Sequence, residues 1–464
     1  MLDLSWLIKY GESRGAGFVD IRFHDRTYEL IVLDNGVVKQ YTVSTSKGVG
    51  VRVVVDKFFG YASTNRLDKN SLMEAVDRAL SVAKSMSRFG LPIELFERKI
   101  VRDRVTSKFS IDPFTVDSSE KISVLKDMYS ITRDFKDIIS CLARFGYEYD
   151  NRFYQSSWGD EVEVTNRLIG ISILTVAKVN GVVERVHDQK SMVAGWEFIK
   201  STDWCEFSRD VAQITVQAAK SPAVKPGRYD AVLDNEMVGL LLHEAFGHAT
   251  EADIVEAGGS VLEGRVGERI ASDYVTVVDD GLVEGGFYLP YDDEGSPKVK
   301  TVTVDKGVLK TYLHSLWTAK RFDSKPTGNA RVMDYEQVIL IRQTNTYMEP
   351  GDYSVDELFE DIKEGVYVRG RGAMGGQVDP SMGTFTFTAG PSYLVKNGRV
   401  ESLIRGVMIS GNILETLKNV DAVAKDLKVT TSVFGGCGKD GQMVRVGDGG
   451  PHIRVRGLVI GGGV

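Results

Sequence analysis

Two histidines and a glutamate near the middle of the chain have the residue types of a metal site. His243, Glu244 and His248 form an H-E-x-x-x-H pattern. In the common zinc-binding pattern, H-E-x-x-H, two histidines one helical turn apart bind the metal and the glutamate serves as a base. The pattern here is one residue longer, so a metal site requires something other than a straight helix.

A helical wheel shows how the helix must depart from a straight one for both histidines to bind one metal. An α-helix advances about 100° per residue, so histidines five apart point about 140° apart. One apolar stripe follows helical spacing and consists of Val238, Leu241, Leu242, Ala245, Phe246 and Ala249. His243, Glu244, Gly247 and His248 fall on the opposite side, and Gly247 tolerates a bulge or helix end that swings His248 inward. We predict a metal helix with an irregularity at Gly247; the alternative is an amphipathic helix whose polar face happens to be rich in histidine.

The third ligand has a local and a distant candidate. A catalytic zinc usually has three protein ligands and one water. Glu251 lies three residues after His248 and shares its face if the helix continues. Cys437 lies between glycines that predict a tight turn, and nearby Lys439 or a metal would favour its thiolate form. A buried apolar role for Cys437 is the alternative, so the residues alone leave the choice open.

Composition limits the class of protein. The 464 residues are too many for one ordinary core, and 42% hydrophobic with 26% charged residues is typical of a soluble globular protein. No apolar run approaches the ~18–20 residues of a membrane helix, and the acidic N-terminus lacks the pattern of a signal peptide. A net charge of −7 argues against nucleic acid as the main partner. Three dispersed cysteines, Cys141, Cys205 and Cys437, fit a reducing cytoplasm, so we expect a cytoplasmic protein without a membrane partner.

Periodicity predicts an α+β fold in two domains. Domain one, over 1–221, is an α/β domain with an antiparallel sheet, and domain two, over 222–464, is mainly antiparallel β and carries the metal helix. Prolines and a glycine in 220–228 mark the boundary. The predicted helices of the first domain cover 2–13, 68–86, 118–134 and 203–219. Besides the metal helix, the second domain has predicted helices at 354–363 and 411–426.

Three other histidines and one arginine are predicted to lie on a strand face or at the surface, outside the metal site. His24 and His187 alternate with apolar residues, so we place them on a strand face or at the surface. His314 and Arg331 are available to stabilise an oxyanion, but we favour a strand or loop surface position for each.

The chain resembles one known family along nearly its whole length. The strongest fragments are HEAFGHATEAD at 243–253 and CGKDGQ at 437–442, in that order. Weaker fragments are GVGVRVVV, GYAST, TGNAR, TNTYMEPGD, GGQVDPSMGTFTF, VGDGGP and VIGGG. Together they are similar to the TldD/PmbA family, also called modulators of DNA gyrase, whose members are cytoplasmic zinc metallopeptidases.

The resemblance implies a specific site and assembly. It implies zinc held by His243, His248 and Cys437, with Glu244 as the catalytic base. It also implies a dimer enclosing a chamber, either a homodimer or a pair with a sister subunit that lacks the motif. Every metal position is kept here, so the chain resembles the catalytic subunit, with small or unfolded peptides as substrates. The alternatives are a metal-stabilised scaffold or peptide-binding partner without catalysis, and a metal-dependent hydrolase of another bond.

Overall fold

Four strands of 17 to 19 residues form the centre of the N-terminal half in the computed structural model. The structure describes residues 3–88, 90, 92–373 and 375–462. Elements of this half are α1 (Ser5–Ser13), β1 (Phe18–Asp34), β2 (Val37–Val55), β3 (Phe58–Thr64), α2 (Lys69–Met86), β4 (Arg102–Thr106), a 3-10 turn (Pro113–Thr115), α3 (Ser118–Thr132), β5 (Ile138–Ser156), β6 (Glu161–Val179), β7 (Val182–Met192), α4 (Trp196–Ser201) and α5 (Trp204–Lys220). The strand order is β3-β2-β1-β5-β6-β4, with β7 also paired to β6. Only β4 joins in parallel, so the sheet is essentially antiparallel.

Helices pack against both ends of this long sheet, and each end has its own hydrophobic core. α1 and α2 pack on β1 and β2, while α3, α4 and α5 pack on β5 and β6. The predicted stripe of α2 is confirmed, because every member is buried: Leu72, Ala75, Val76, Ala79, Leu80 and Ala83. Asp68 caps this helix by accepting from the Ser71 amide at 3.0 Å. Hydrophobic periodicity was sufficient here because each helix buries a single face.

The C-terminal half is built from short strands around one interrupted helix. Its elements are β8 (Gly227–Leu233), α6 (Asn235–Leu240), a π-helical segment (Leu241–Gly247), a 3-10 turn (His248–Thr250), α7 (Ala252–Glu256), β9 (Val277–Asp279), β10 (Thr301–Asp305), β11 (Val308–Leu309), α8 (Leu316–Arg321), β12 (Ala330–Arg331), β13 (Leu340–Ile341), β14 (Asn345–Met348), a 3-10 turn (Asp356–Leu358), β15 (Glu364–Val368), β16 (Gly376–Asp379), β17 (Thr384–Thr388), β18 (Ser392–Lys396), β19 (Arg399–Ile404), β20 (Val407–Asn412), α9 (Ile413–Lys418), β21 (Val420–Val423), β22 (Lys428–Thr431), β23 (Cys437–Lys439), β24 (Gln442–Val444), β25 (Gly447–Gly450) and β26 (Ile453–Gly462).

Two sheets of this half share one hydrophobic core with the interrupted helix. The larger sheet has the order β16-β17-β20-β26-β8-β15-β18-β19, with β21 also on β26. The smaller sheet has the order β11-β10-β9-β14-β25-β22. Most pairs are antiparallel, and the exceptions within these two sheets are β8 with β15 and β14 with β25. Buried residues of α6 and the π-helical segment contact strands of both sheets, so the helix is held on its apolar face.

The predicted fold class, α+β, is confirmed, while two of the predicted helices are wrong in extent. Residues 354–363 contain only the 3-10 turn, because Leu358, Phe359 and Ile362 are buried in a small core against strands. Within 411–426 the helix ends at Lys418 and the chain continues into β21, which pairs with β26. Division of the chain at residue 221 remains a prediction. Within the described ranges, no helix combines the length and apolar character needed to cross a bilayer.

Buried ion pairs join the two halves. Arg52 of β2 donates to Glu294 at 2.6 Å and also pairs with Asp20, and all three side chains are buried. Arg152 of β5 similarly contacts Asp293 at 2.9 Å. Charges removed from water are tolerated only when they are paired, so these contacts fix how the halves meet.

We expect Arg52→Met to lower the free energy of unfolding by about 3–5 kcal/mol, because Asp20 and Glu294 would remain buried without their cation. Chemical denaturation measures the change. Lys47→Met on the same strand is the matched control; it removes an exposed pair with Asp25 and should cost less than about 1 kcal/mol. Equal losses in the two variants would contradict a bridging role for Arg52.

Candidate metal centre

A π-helical segment brings the two histidines of the pattern together. The chain is α-helical to Leu240 and π-helical over Leu241–Gly247. A π-helix is closed by i→i+5 hydrogen bonds, so residues five apart become neighbours on successive turns. The rings of His243 and His248 are accordingly 5.4 Å apart between centroids and nearly perpendicular, at 84°. The altered helix therefore places on one side two rings that a straight α-helix would separate.

Gly247 allows a side chain to lie directly on this segment. A Cβ at this position would sit 1.8 Å from Oε1 of Gln343. The side-chain amide of Gln343 donates to the carbonyl oxygen of His243 at 3.0 Å. The Thr346 hydroxyl donates to Gln343 Oε1 at 2.7 Å. The glycine is thus needed for the close approach of Gln343, which hydrogen-bonds one of the π-helical carbonyl oxygens.

Cys437 reaches the histidines from a hairpin 189 residues beyond His248. Its Sγ lies 3.2 Å from His248 Nε2, and one ligand atom from each of His243, His248 and Cys437 lies within 4.8 Å of the others. The hairpin is formed by β23 and β24. Buried Arg342 donates to the carbonyl oxygens of Cys437 and Gln442, so both strands of the hairpin are tied to the segment before β14.

Glu251 lies behind His248, on the side away from Cys437. Its Oε2 is 3.2 Å from His248 Nδ1, whereas Cys437 approaches Nε2. Glu251 also accepts hydrogen bonds from the backbone N–H of Gln343 at 3.3 Å and from Lys439 Nζ at 2.9 Å. Of the two third-ligand candidates, the structure therefore groups Cys437 with the histidine pair and gives Glu251 a contact to the opposite ring nitrogen.

The charges of the cluster favour the ligand form of the cysteine. Burial alone would raise the pKa of the Cys437 thiol, but His243 and His248 lower it to about 5. Burial also opposes ionisation of Glu251, yet His248 and Lys439 hold its pKa at about 2. Lys439, which the sequence placed beside the thiol, instead pairs with Glu251 and Asp253. The histidines, and not the lysine, thus stabilise the thiolate.

The cluster fits a zinc ion by its chemistry. Two imidazoles and a thiolate are common zinc donors, and bonds of about 2.0–2.3 Å in a tetrahedral site place donor atoms roughly 3.5 Å apart. The His248–Cys437 separation of 3.2 Å is close to that value. His243 Nδ1 is buried and has no hydrogen-bond partner among the described residues. Such an orphaned ring nitrogen is uncommon in an ordinary core and is consistent with a polar site.

Two carboxylates near this cluster have no partner among the residues that the structure describes. Glu244 is half-buried, and within the described ranges its carboxylate neither accepts a hydrogen bond nor forms an ion pair. Asp448 of β25 is likewise half-buried and unpartnered there. The charges of His243, Glu244 and Cys437 all influence the pKa of Asp448, which burial raises. Asp448 was missed by sequence reasoning, although it is the one charged residue in the glycine-rich VGDGGP motif.

Two of the four ordinary positions predicted for polar residues are wrong. His314 and Arg331 are buried, with 1% and 4% of their surface exposed. Burial lowers the pKa of His314 to about 4, and Arg331 donates to the carbonyl oxygen of Gln343 at 2.6 Å. His24 and His187 do lie on strands, but His24 is buried, 3.6 Å from Asp293. Arg331 is buried by partners distant in sequence, whereas His314 packs between Tyr312 and Phe322, which are close to it in the chain.

Comparison with known proteins matches three consecutive parts of the chain to one family. The models described as PmbA/TldA metallopeptidase domain 1, central domain and C-terminal domain match residues 19–83, 111–220 and 226–462. A metalloprotease of Methanocaldococcus jannaschii is 35% identical over 439 residues, 94% of this chain and 95% of that protein. A zinc metalloprotease TldD homolog of Saccharolobus solfataricus is 30% identical over 468 residues, 98% and 99% of the two chains.

Solved structures agree at the level of the fold. TldE from Thermococcus kodakarensis superposes with a TM-score of 0.80 at 20% identity, over 99% of this chain and 100% of that chain. A Thermotoga maritima protein described as a candidate modulator of a DNA gyrase gives 0.82 at 21% identity, over 98% and 99%. The fold is therefore that of these two proteins, and the family models describe its three parts as metallopeptidase domains. The chain belongs to the PmbA/TldD family, as its sequence fragments predicted.

We expect Gly247→Ala to weaken metal binding and to lower the midpoint of thermal unfolding, because the added methyl group would displace Gln343 from the π-helical segment. Overpacking of this kind typically costs about 1–3 kcal/mol. Metal titration and calorimetry measure the two effects. Gly17→Ala is the control, since the nearest atom to its added Cβ would be 3.7 Å away. A Gly247→Ala protein that binds metal normally would show that the close approach of Gln343 is unnecessary.

Proposed function

We propose that the protein is a zinc-dependent metallopeptidase that hydrolyses peptide bonds in small or unfolded peptides. The observation that carries this proposal is the buried group of His243, His248 and Cys437 with the unpartnered Glu244 beside it. Family membership and the name of the Saccharolobus relative support zinc as the metal. His243, His248 and Cys437 are the proposed ligands.

Glu244 is the proposed general base. A bound zinc ion supplies Lewis acidity and allows water to act as a nucleophile near neutral pH. A carboxylate oxygen of Glu244 takes the proton of the attacking water and then gives it to the nitrogen of the leaving amine. The absence of a hydrogen-bond partner among the described residues leaves both carboxylate oxygens available for this transfer. A base already engaged in an ion pair would be less able to take up a proton.

Glu251 is proposed as a positioning residue. A carboxylate behind a metal-binding histidine fixes the ring orientation and tautomer and makes the other nitrogen a better ligand. Glu251 contacts His248 Nδ1 and is itself held by Lys439 and the Gln343 amide N–H. This arrangement leaves Nε2 of His248 directed at Cys437, as a metal ligand requires.

The number of ligands favours a catalytic over a structural metal. Structural zinc is almost always closed by four protein ligands, whereas catalytic zinc keeps one position for water or substrate. Among the described residues, the group that could hold a metal contains three members. Glu251 was the one local candidate for a fourth, but it contacts the far side of His248. A scaffold that merely uses zinc for stability is therefore the weaker alternative.

The proposed partners follow from the family. We infer a homodimer or a heterodimer with a sister subunit, and the fold shared with TldE supports a relationship to such a subunit. The substrate is a peptide or unfolded protein, which an edge strand of the β-rich half would bind in extended form. We keep the cytoplasm as the proposed location, with neither nucleic acid nor membrane as a partner.

We expect Glu244→Gln to retain zinc and to lose about 10²- to 10⁴-fold in kcat, the usual contribution of a general base. Zinc content and cleavage of a denatured protein are measured on the same preparation. Glu256→Gln is the control, because Glu256 pairs with Arg321 and is not part of the metal group. Full activity in zinc-loaded Glu244→Gln would reject the assignment, and zinc without cleavage by the unaltered protein would favour the scaffold.

The ligand assignment is tested by zinc affinity rather than activity. Cys437→Ala removes a proposed ligand, so we expect it to abolish stable zinc binding, as would His243→Ala or His248→Ala. Glu251→Gln alters a residue behind His248 and should weaken binding by only about 10- to 100-fold. Competition with a chromophoric chelator measures both. If Cys437→Ala binds zinc normally while Glu251→Gln does not, Glu251 is the third ligand.

A further inference from the structure

Asp448 is a carboxylate that the proposed reaction does not use. Three buried carboxylates of the C-terminal half have cations: Glu251 contacts Lys439, Asp279 contacts Lys298, and Asp293 contacts Arg152. Asp448 has neither an ion pair nor a side-chain hydrogen bond within the part of the chain that the structure describes. A half-buried charge is costly without a partner, so this position needs an explanation.

The backbone is shaped to admit this side chain beside the metal helix. Asp448 Oδ1 lies 2.8 Å from the place where a Cβ on Gly239 would be. Gly239 lies in α6, four residues before His243, and the charge of His243 acts on Asp448. A Cβ at 239 would also sit 2.6 Å from the backbone nitrogen of Gly449, so the glycine in α6 allows the close approach of β25 together with its Asp448 carboxylate.

Lys439 does not supply a cation for Asp448. It is already shared between Glu251 and Asp253. Burial raises the pKa of Asp448, and its carboxylate has no ion pair among the described residues. A cation arriving with the substrate would supply the missing partner.

We propose that the Asp448 carboxylate recognises a primary ammonium group of the peptide substrate. This inference rests on the proposed peptidase function and assigns a substrate class to the same site. An ammonium is a compact point charge with three donors, and a single carboxylate can pair with it without the paired, planar geometry that a guanidinium favours. The group is either the α-ammonium of the peptide or the side chain of a lysine close to the scissile bond.

Peptide binding to zinc-loaded Glu244→Gln tests the idea without cleavage. Three matched peptides are titrated calorimetrically: one with a free N-terminus, one N-acetylated with a lysine scanned along its length, and one N-acetylated with norleucine in its place. We expect a cationic peptide to bind about 10- to 100-fold more tightly than the neutral one, as suits a hydrogen-bonded charge. Whether the first or second peptide has the advantage identifies the source of the ammonium.

The double variant Glu244→Gln, Asp448→Asn should lose this preference while keeping its zinc and its affinity for the neutral peptide. Asp440→Asn in the same background is the control, since Asp440 is exposed in the turn between β23 and β24. Loss of zinc on changing Asp448, an equal loss of affinity for all peptides, or no preference before the change would each overturn the proposal. If zinc-loaded Glu244→Gln shows the preference but the zinc-loaded unaltered protein cleaves no peptide, the peptidase function is rejected and ammonium recognition is kept.

Discussion

The contact between Arg342 and the hairpin of Cys437 is the interaction on which the candidate metal centre depends. Arg342 is fully buried, and its guanidinium donates to the carbonyl oxygens of Cys437 and Gln442. The neighbouring residue, Gln343, contacts the π-helical segment through the carbonyl oxygen of His243. Two successive side chains therefore tie the hairpin and the histidine pair to one another. Without this link, Lys439, which pairs with Glu251 and Asp253, would be left to hold the hairpin against the segment that follows the histidines.

Most of the successful predictions of the fold and the candidate site came from local sequence patterns. The helices α2 and α5 each bury a single face, so their apolar periodicity is readable within a few residues. The spacing of His243 and His248 demanded an altered helix, and Gly247 lies within the π-helical segment that supplies it. These features depend on residues close together in the chain, so they could be predicted from the sequence.

What escaped prediction depends on residues that meet only after folding. The choice between Glu251 and Cys437 could not be made from spacing, because it turns on which nitrogen of His248 each one approaches. Arg331 was expected at the surface, but carbonyl oxygens from two distant segments accept its hydrogen bonds in the interior. The proximity of Asp448 to the helix could not be predicted, because it depends on the packing of Gly239 against it. Burial of a polar group is a property of its neighbours, not of its own stretch of sequence.

The surroundings of Glu244 and Glu251 suit these two carboxylates to the different tasks proposed for them. Glu251 is fully buried between His248, Lys439 and a backbone amide, and these contacts hold its pKa at about 2, so it stays an anion that fixes a ring. Glu244 is half-buried and has no partner among the residues described. A carboxylate held in place by several donors cannot take up a proton readily, whereas a free one can. Rigidity is thus concentrated behind the proposed metal ligand His248, whereas the residue proposed to move a proton has no partner among the described residues.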